Sequence, residues 1–157
     1  MDLFEVYKII EKKIITTSID DIENFFNDLG DSTFYTERDT NEEYGEAIDL
    51  YIYNSAFEAN QFICEICKSE DGDFVIFIID RGNIPFNFGE TYLDDDLEDD
   101  LYEGRKSEPT TKDIIDGLLS VAKTEYLIEI EESQSNISVL DDLAVKHGFG
   151  ALLNAEP

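Results

Sequence analysis

An α+β fold in a single domain spanning residues 1–157 is predicted, with an antiparallel or mixed sheet of about four or five strands and helices packed on one face. Three observations predict it. Helical periodicity occupies both ends of the chain, strand-like periodicity occupies its middle, and hydrophobic residues make up 42% of 157 positions, which suffices for one core. No internal repeat at periods of 20–50 residues is present.

The elements follow in order. Leu3, Val6, Tyr7, Ile10 and Ile14 recur at helical spacing, predicting a helix over 2–15. Ser18 and Asp21 form a capping box with Asp in place of the usual Glu or Gln, and Ile22, Phe25, Phe26 and Leu29 continue at a helical period until Gly30, giving a helix over 19–29. Ile48, Leu50 and Ile52 then alternate with Asp49, Tyr51 and Tyr53. Residues 59–68 form a second strand that should pair with the first. Asp71-Gly72 marks a hairpin turn into Phe74–Ile79, a run of six apolar residues expected to be a central strand buried on both faces. Residues 81–109 collect turn formers and charge and are expected to be a long acidic loop. After Pro109, Thr110 or Thr111 caps a helix carrying Ile114, Ile115, Leu118, Leu119 and Ala122, weakened by Gly117. Tyr126, Ile128 and Ile130 alternate with Leu127, Glu129 and Glu131 as a further strand, and a last helix from Val139 to Lys146 ends at Gly148.

Charge is the strongest compositional feature. The chain has 38 Asp and Glu against 11 Lys and Arg, a net charge of −27, which repels phosphate backbones and anionic headgroups and argues against binding nucleic acid or membrane directly. Nineteen Ile and eleven Phe separate it from a disordered acidic tail. The N-terminus has no basic region followed by an apolar stretch, and no stretch approaches the ~18 apolar residues of a spanning helix. A cytoplasmic location is expected.

The charge is unevenly spread. Six of the seven residues Asp94–Asp100 are acidic, and residues 90–108 carry a net −7, whereas residues 1–13 are balanced. Counted from Asp94, an EF-hand loop would need Gly and Glu where Asp99 and Arg105 stand. Looser binding of a hard divalent ion stays open, although nothing fixes the geometry of the carboxylates, and beside it stand two readings: a solvated acidic loop, or a docking surface for a strongly basic protein. The docking reading draws on Asp94, Asp95, Asp96, Glu98, Asp99, Asp100 and Glu103, with Tyr92 and Tyr102 as aromatic anchors. Phe86 and Phe88 lie close in sequence, and Glu42 and Glu43 belong to a second acidic patch over 37–46. Further acids at Glu129, Glu131 and Glu132 make the whole surface negative, a distribution suited to steering a cationic partner.

Catalytic signals are lacking. His147 is the only histidine, so H-E-x-x-H zinc sites are excluded, and its place in a last helical turn suits dipole stabilisation or capping. No nucleophile elbow, phosphate loop or dinucleotide fingerprint occurs. Cys64 and Cys67 form a C-x-x-C. Strand alternation nevertheless puts Phe62, Cys64 and Ile66 on one face and Ile63, Glu65 and Cys67 on the other, so buried structural cysteines are expected. No enzyme activity, cofactor or metal is assigned.

The acidic patches at 37–46 and 90–108, interleaved with Tyr and Phe in a small α+β chain without catalytic motifs, give a resemblance in overall character. The chain resembles the immunity proteins of bacterial toxin systems, of the contact-dependent growth inhibition and polymorphic toxin type. The resemblance implies tight binding to a cognate toxin domain, often a basic nuclease, whose active site is blocked. The alternative is a DNA mimic, an anti-restriction or anti-defence protein of a phage or mobile element, whose carboxylates stand in for phosphates. General acidity from a halophilic source fits less well, because the Ile and Phe content is high and eight lysines remain.

Overall fold

Two capping boxes shape the start of the chain. In the computed structural model, which describes residues 1–78, 84–86, 93–128 and 134–156, Asp2 accepts from the Glu5 N–H at 2.9 Å and Ser18 from the Asp21 N–H at 3.1 Å. The helices that follow are α1 (Leu3–Thr16) and α2 (Ile19–Leu29), the latter closed by Gly30 in the left-handed region, φ 62°. Asp21 completes its box as a Glu would, its carboxylate accepting from the Ser18 N–H at 2.8 Å. Val6, Ile10 and Ile14 of α1 and Ile19, Ile22 and Phe26 of α2 face the core.

Five antiparallel strands follow in chain order: β1 (Phe34–Asn41), β2 (Gly45–Asn54), β3 (Ala59–Lys68), β4 (Phe74–Phe77) and β5 (Ile84–Pro85). The expected pairing of β2 with β3 and the hairpin at Asp71-Gly72 are both present. β4 is buried as expected, but it is second from the edge, and β3 is central. Ile79 lies outside the described residues. β1 has no counterpart in the sequence reading because its core-side positions Thr36, Arg38 and Thr40 are polar. There Arg38 reaches Asp20 and Glu23 of α2, and Glu46 of β2 at 3.0 Å.

One irregularity sets the faces of β3. The register against β2 shifts between Leu50 and Tyr51, leaving Ile63 as an extra residue in β3. Ile63 thereby joins Cys64 and Ile66 on the helix side, and Phe62 turns to the other face, where it stacks on Tyr51 at 5.6 Å. This corrects the simple alternation expected from sequence. The two free cysteines are buried and still point to opposite faces.

The segment expected to be a long loop contains β5 and a helix, α3 (Asp95–Tyr102). Asp94 caps it by accepting from the Asp96 N–H at 3.0 Å. Asp95, Asp96 and Glu98 lie in its first turn, where the helix dipole favours negative charge. Leu97 and Leu101, one turn apart, anchor α3 in the core. Asp100 is answered by Arg105 at 2.8 Å.

α4 (Thr111–Ile128) is the central helix, buried along most of its length against the sheet and its helical neighbours. Thr110 caps it in a reciprocal box with Asp113. Gly117 serves close approach: a Cβ there would lie 2.9 Å from Leu93 and 3.0 Å from Phe86, so its absence lets both side chains pack on the helix. The strand expected at 126–130 is overturned as far as it is described, because α4 runs on through Tyr126 and Ile128. Tyr126 falls one turn after the buried Ala122, so it also continues the helical stripe. Residues 129–130 lie outside the described residues.

α5 (Gln134–His147) begins earlier than expected and ends at Gly148, φ 71°, as expected. A short helix, α6 (Gly150–Leu153), was not legible in sequence. Two buried polar residues of α4 hold it. Asp116 accepts from Ala151 and Leu152 N–H at 3.0 and 2.7 Å, and Lys123 Nζ donates to Leu152 and Leu153 carbonyls at 3.1 and 2.9 Å while pairing with Asp141 of α5 at 2.7 Å. His147 pairs through Nε2 with Asp31 at 2.7 Å, beside Lys146 at the same distance. Burial alone would raise the Asp31 pKa, but Lys146, Thr33 and His147 together hold it well below the ordinary carboxylate range.

The helices pack on one face of the sheet, and one continuous hydrophobic cluster joins all of them to β2, β3 and β4. The bulge is fixed from the helix side, since the Tyr126 hydroxyl donates to the Ile63 carbonyl, both buried. Tyr126→Phe should therefore leave that carbonyl unsatisfied and cost about 1–3 kcal/mol of stability. Urea unfolding of the two proteins measures this, and equal midpoints would show that the bulge is held without the hydroxyl.

Candidate functional site

Acidic side chains are presented in two ways. On α3 they diverge. The inward direction is taken by Leu97 and Leu101, so Asp95, Asp99 and Tyr102, at i, i+4 and i+7, share the solvent side, flanked by Asp96 and Glu103. Tyr102 is 48% exposed. Glu98 is half-buried, and its pKa is raised by that burial and by Asp95 and Asp99. Asp94 has a structural task as the helix cap, and it also lies against Gly150, where a Cβ would approach its Oδ2 to 2.4 Å. Glu42 and Glu43 are exposed in the β1–β2 turn, a separate element, with the Glu43 N–H held by Asn41 Oδ1 at 2.9 Å. Tyr92 and Phe88 lie outside the described residues, as do Glu129, Glu131 and Glu132. Phe86 is a core residue.

On the sheet face away from the helices, acids converge. By register this face presents Tyr35, Glu37 and Asp39 of β1, Asp49, Tyr51 and Tyr53 of β2, Phe62, Glu65 and Cys67 of β3, and Val75 and Phe77 of β4. Tyr35, Tyr51 and Phe62 form a ring-to-ring row at 5.7 and 5.6 Å. Beside the row, Asp49 stands directly opposite Glu65, and an oxygen from each of Asp39, Asp49 and Glu65 lies within 4.8 Å of the others. Like charges in directly opposed sheet positions are destabilising.

Asp49 is the strained member. It is 7% exposed, and its Oδ1 has no hydrogen-bond donor. Burial first, then the neighbouring Glu65 and Asp39, push its pKa far above the ordinary carboxylate range. Glu65 is oriented by the Asn41 side-chain amide at 2.9 Å, and Asp39 accepts from the Thr40 N–H at 2.7 Å. Cys67 approaches Glu65 at 3.7 Å, and burial, then that carboxylate, push its thiol up to about 12, so it stays protonated and unreactive at neutral pH.

Sequence reasoning missed this cluster. Its members come from three strands, and although Asp39 belongs to the acidic patch over 37–46, a register for β1 was needed to bring the three together. A further sequence signal was an acid, Asp49, inside an otherwise apolar strand.

Among the described residues, no helix is long and apolar enough to cross a membrane. Comparisons with models of protein families, with curated proteins and with solved structures find no match.

A raised carboxyl pKa in the folded state means that the fold holds that proton more tightly than the unfolded chain does. The resulting penalty is absent below the ordinary carboxylate pKa and grows as pH rises toward the elevated folded value. In chelator-treated protein, Asp49→Asn should be no more stable than the parent near pH 4 and more stable by over about 1 kcal/mol near pH 8. Denaturant titrations across that range test it. A parent equally or more stable at the alkaline end would show that Asp49 is compensated in solution.

Proposed function

We propose that this chain is a non-catalytic cytoplasmic inhibitor that binds and neutralises a basic protein, an immunity protein directed against a nuclease-type toxin. The observation that carries this reading is the solvent side of α3, where Asp95, Asp99 and Tyr102 stand in a row on a helix pinned by Leu97 and Leu101. A surface of this kind offers both parts of a tight inhibitor. Its carboxylates steer a cationic partner, and its aromatic side chain can act as an anchor once desolvated. Because the acids sit on an anchored helix, less ordering is left to occur on binding. A nuclease must be basic where it holds phosphate, so a folded acidic surface meets it with complementary field.

DNA mimicry uses the same electrostatics but needs carboxylates spread along a duplex-sized path. α3, with eight residues, extends only about 12 Å. This favours a local plug over an extended mimic.

The test is co-expression with the protein encoded by the adjacent reading frame, followed by binding kinetics with that purified protein. Rescue of growth by the parent chain is expected. Changing Asp95, Asp96 and Asp99 together to Asn should slow association at least about tenfold at low salt and much less at high salt. Tyr102→Ala should instead speed dissociation by about tenfold or more. Unchanged kinetics in both variants would remove α3 from the interface. Capture of a DNA-processing enzyme that duplex DNA displaces would select mimicry.

A further inference from the structure

We propose that Asp39, Asp49 and Glu65 form a binding site for a hard divalent cation, with calcium the ion of best fit, on the sheet face away from the helices. The inference is independent of the partner-binding reading of α3.

Four observations lead to it. First, the donors converge: one carboxylate oxygen from each of three adjacent strands lies within 4.8 Å of the others. Calcium takes six to eight oxygen ligands at about 2.3–2.6 Å in flexible geometry, so all three oxygens fit one coordination sphere. Magnesium demands a near-ideal octahedron, which carboxylates fixed on three separate strands meet less readily. Second, Asp49, on the middle of the three strands, is more than nine-tenths buried and its Oδ1 receives no hydrogen bond. A buried carboxylate without a donor is costly, and a cation supplies what the protein does not.

Third, the flanking ligands are held in place. Asn41 donates to Glu65, and its own carbonyl oxygen accepts from the Glu43 and Tyr44 N–H groups at 2.9 and 3.0 Å, fixing the amide in the β1–β2 turn. Fourth, the donor set is entirely oxygen, which selects calcium, magnesium or manganese over softer metals. Among the described residues, the cations nearest in the sheet are engaged elsewhere. Arg38 and Lys68 both lie on the helix side of the sheet, Arg38 with acids of α2 and β2, and Lys68 with the Ile14 carbonyl at 2.7 Å and with Gly72. Low exposure of Asp49 also admits a bare ion more readily than a bulky side chain from a partner.

Three protein carboxylates leave the remaining positions to water, which places affinity in the weak range, with Kd about 10⁻⁵–10⁻³ M. The experiment uses the full chain stripped with chelator, at about 0.15 M salt to screen the general surface charge. Calcium is titrated by calorimetry and thermal unfolding, and terbium luminescence excited through tyrosine reports proximity to Tyr51, which shares the face with Asp49. Expected are one saturable site, a rising unfolding midpoint and sensitised emission. All three should weaken at least tenfold in Asp49→Asn and in Glu65→Gln, and persist in the Asp95, Asp96, Asp99 triple Asn variant of α3.

No response to calcium up to about 10 mM, or an equal response in Asp49→Asn, would overturn the site. A stronger response to magnesium would overturn the choice of ion. Should Asp49→Asn gain stability while calcium leaves the parent unchanged, the cluster holds a shared proton only, and the proposal fails. Glu65→Gln, nearer the surface, keeps the test decisive if Asp49→Asn does not fold.

Discussion

Self-repulsion among 38 carboxylates is the constraint under which this fold assembles. Of the 11 Lys and Arg, four described ones stand at junctions between elements. Arg38 ties the sheet to α2. Lys68 reaches the last carbonyls of α1 and the β3–β4 turn. Lys123 joins α4, α5 and α6, and Lys146 with His147 closes α5 onto Asp31. Exposed ion pairs contribute little, so cations on open surface would do less than cations that satisfy buried carbonyls or half-buried acids between elements. Most of the other described acids are left on the surface, where water and salt screen them, with Asp49 and Asp116 the buried exceptions.

Legibility of the fold followed the strength of its local signals. α1 and α2 were readable because caps and helical spacing agree at Ser18–Asp21 and at Leu3–Ile14, and β2 to β4 because alternation and the Asp71-Gly72 turn agree. β1 was hidden because, after Phe34, its core side continues with Thr36 and Arg38, and Arg38 is held there by acids of α2 and β2. α3 was hidden because two leucines among acids give too little periodicity for a helix, although one turn of spacing suffices to anchor it. Tyr126 satisfies both a period of two with Ile128 and a helical step from Ala122. Burial decides between them. The shift at Ile63 lies beyond any local reading, since a bulge exists only relative to a partner strand, and here its carbonyl is claimed by a tyrosine of α4.

The candidate surfaces divide in the same way. The acidic run at 94–100 was visible as composition, but only its helical form separates Asp94, a cap, and Asp100, paired with Arg105, from the outward set of Asp95, Asp96 and Asp99. The converging triad was invisible, because Asp39, Asp49 and Glu65 belong to three strands and meet only through strand register.

Those two arrays are physically opposite. Acids that diverge on α3 keep their hydration and project a field outward, at little cost to stability. Acids that converge on the sheet repel one another, and Asp49 bears the cost of burial as well. Folded chains place such local conflict where something else is to be bound, because a group unsatisfied in the empty protein is satisfied by its ligand. The diffuse field of the first array raises the concentration of every cation near the surface, while only the second holds oxygens at a spacing that can select among them. A cation held there would remove negative charge from the tyrosine-lined sheet face and none from α3, displacing the Asp49 proton as it binds. Of the two acidic surfaces, the sheet face would then become the more apolar, and α3 would remain the one that a basic protein meets first.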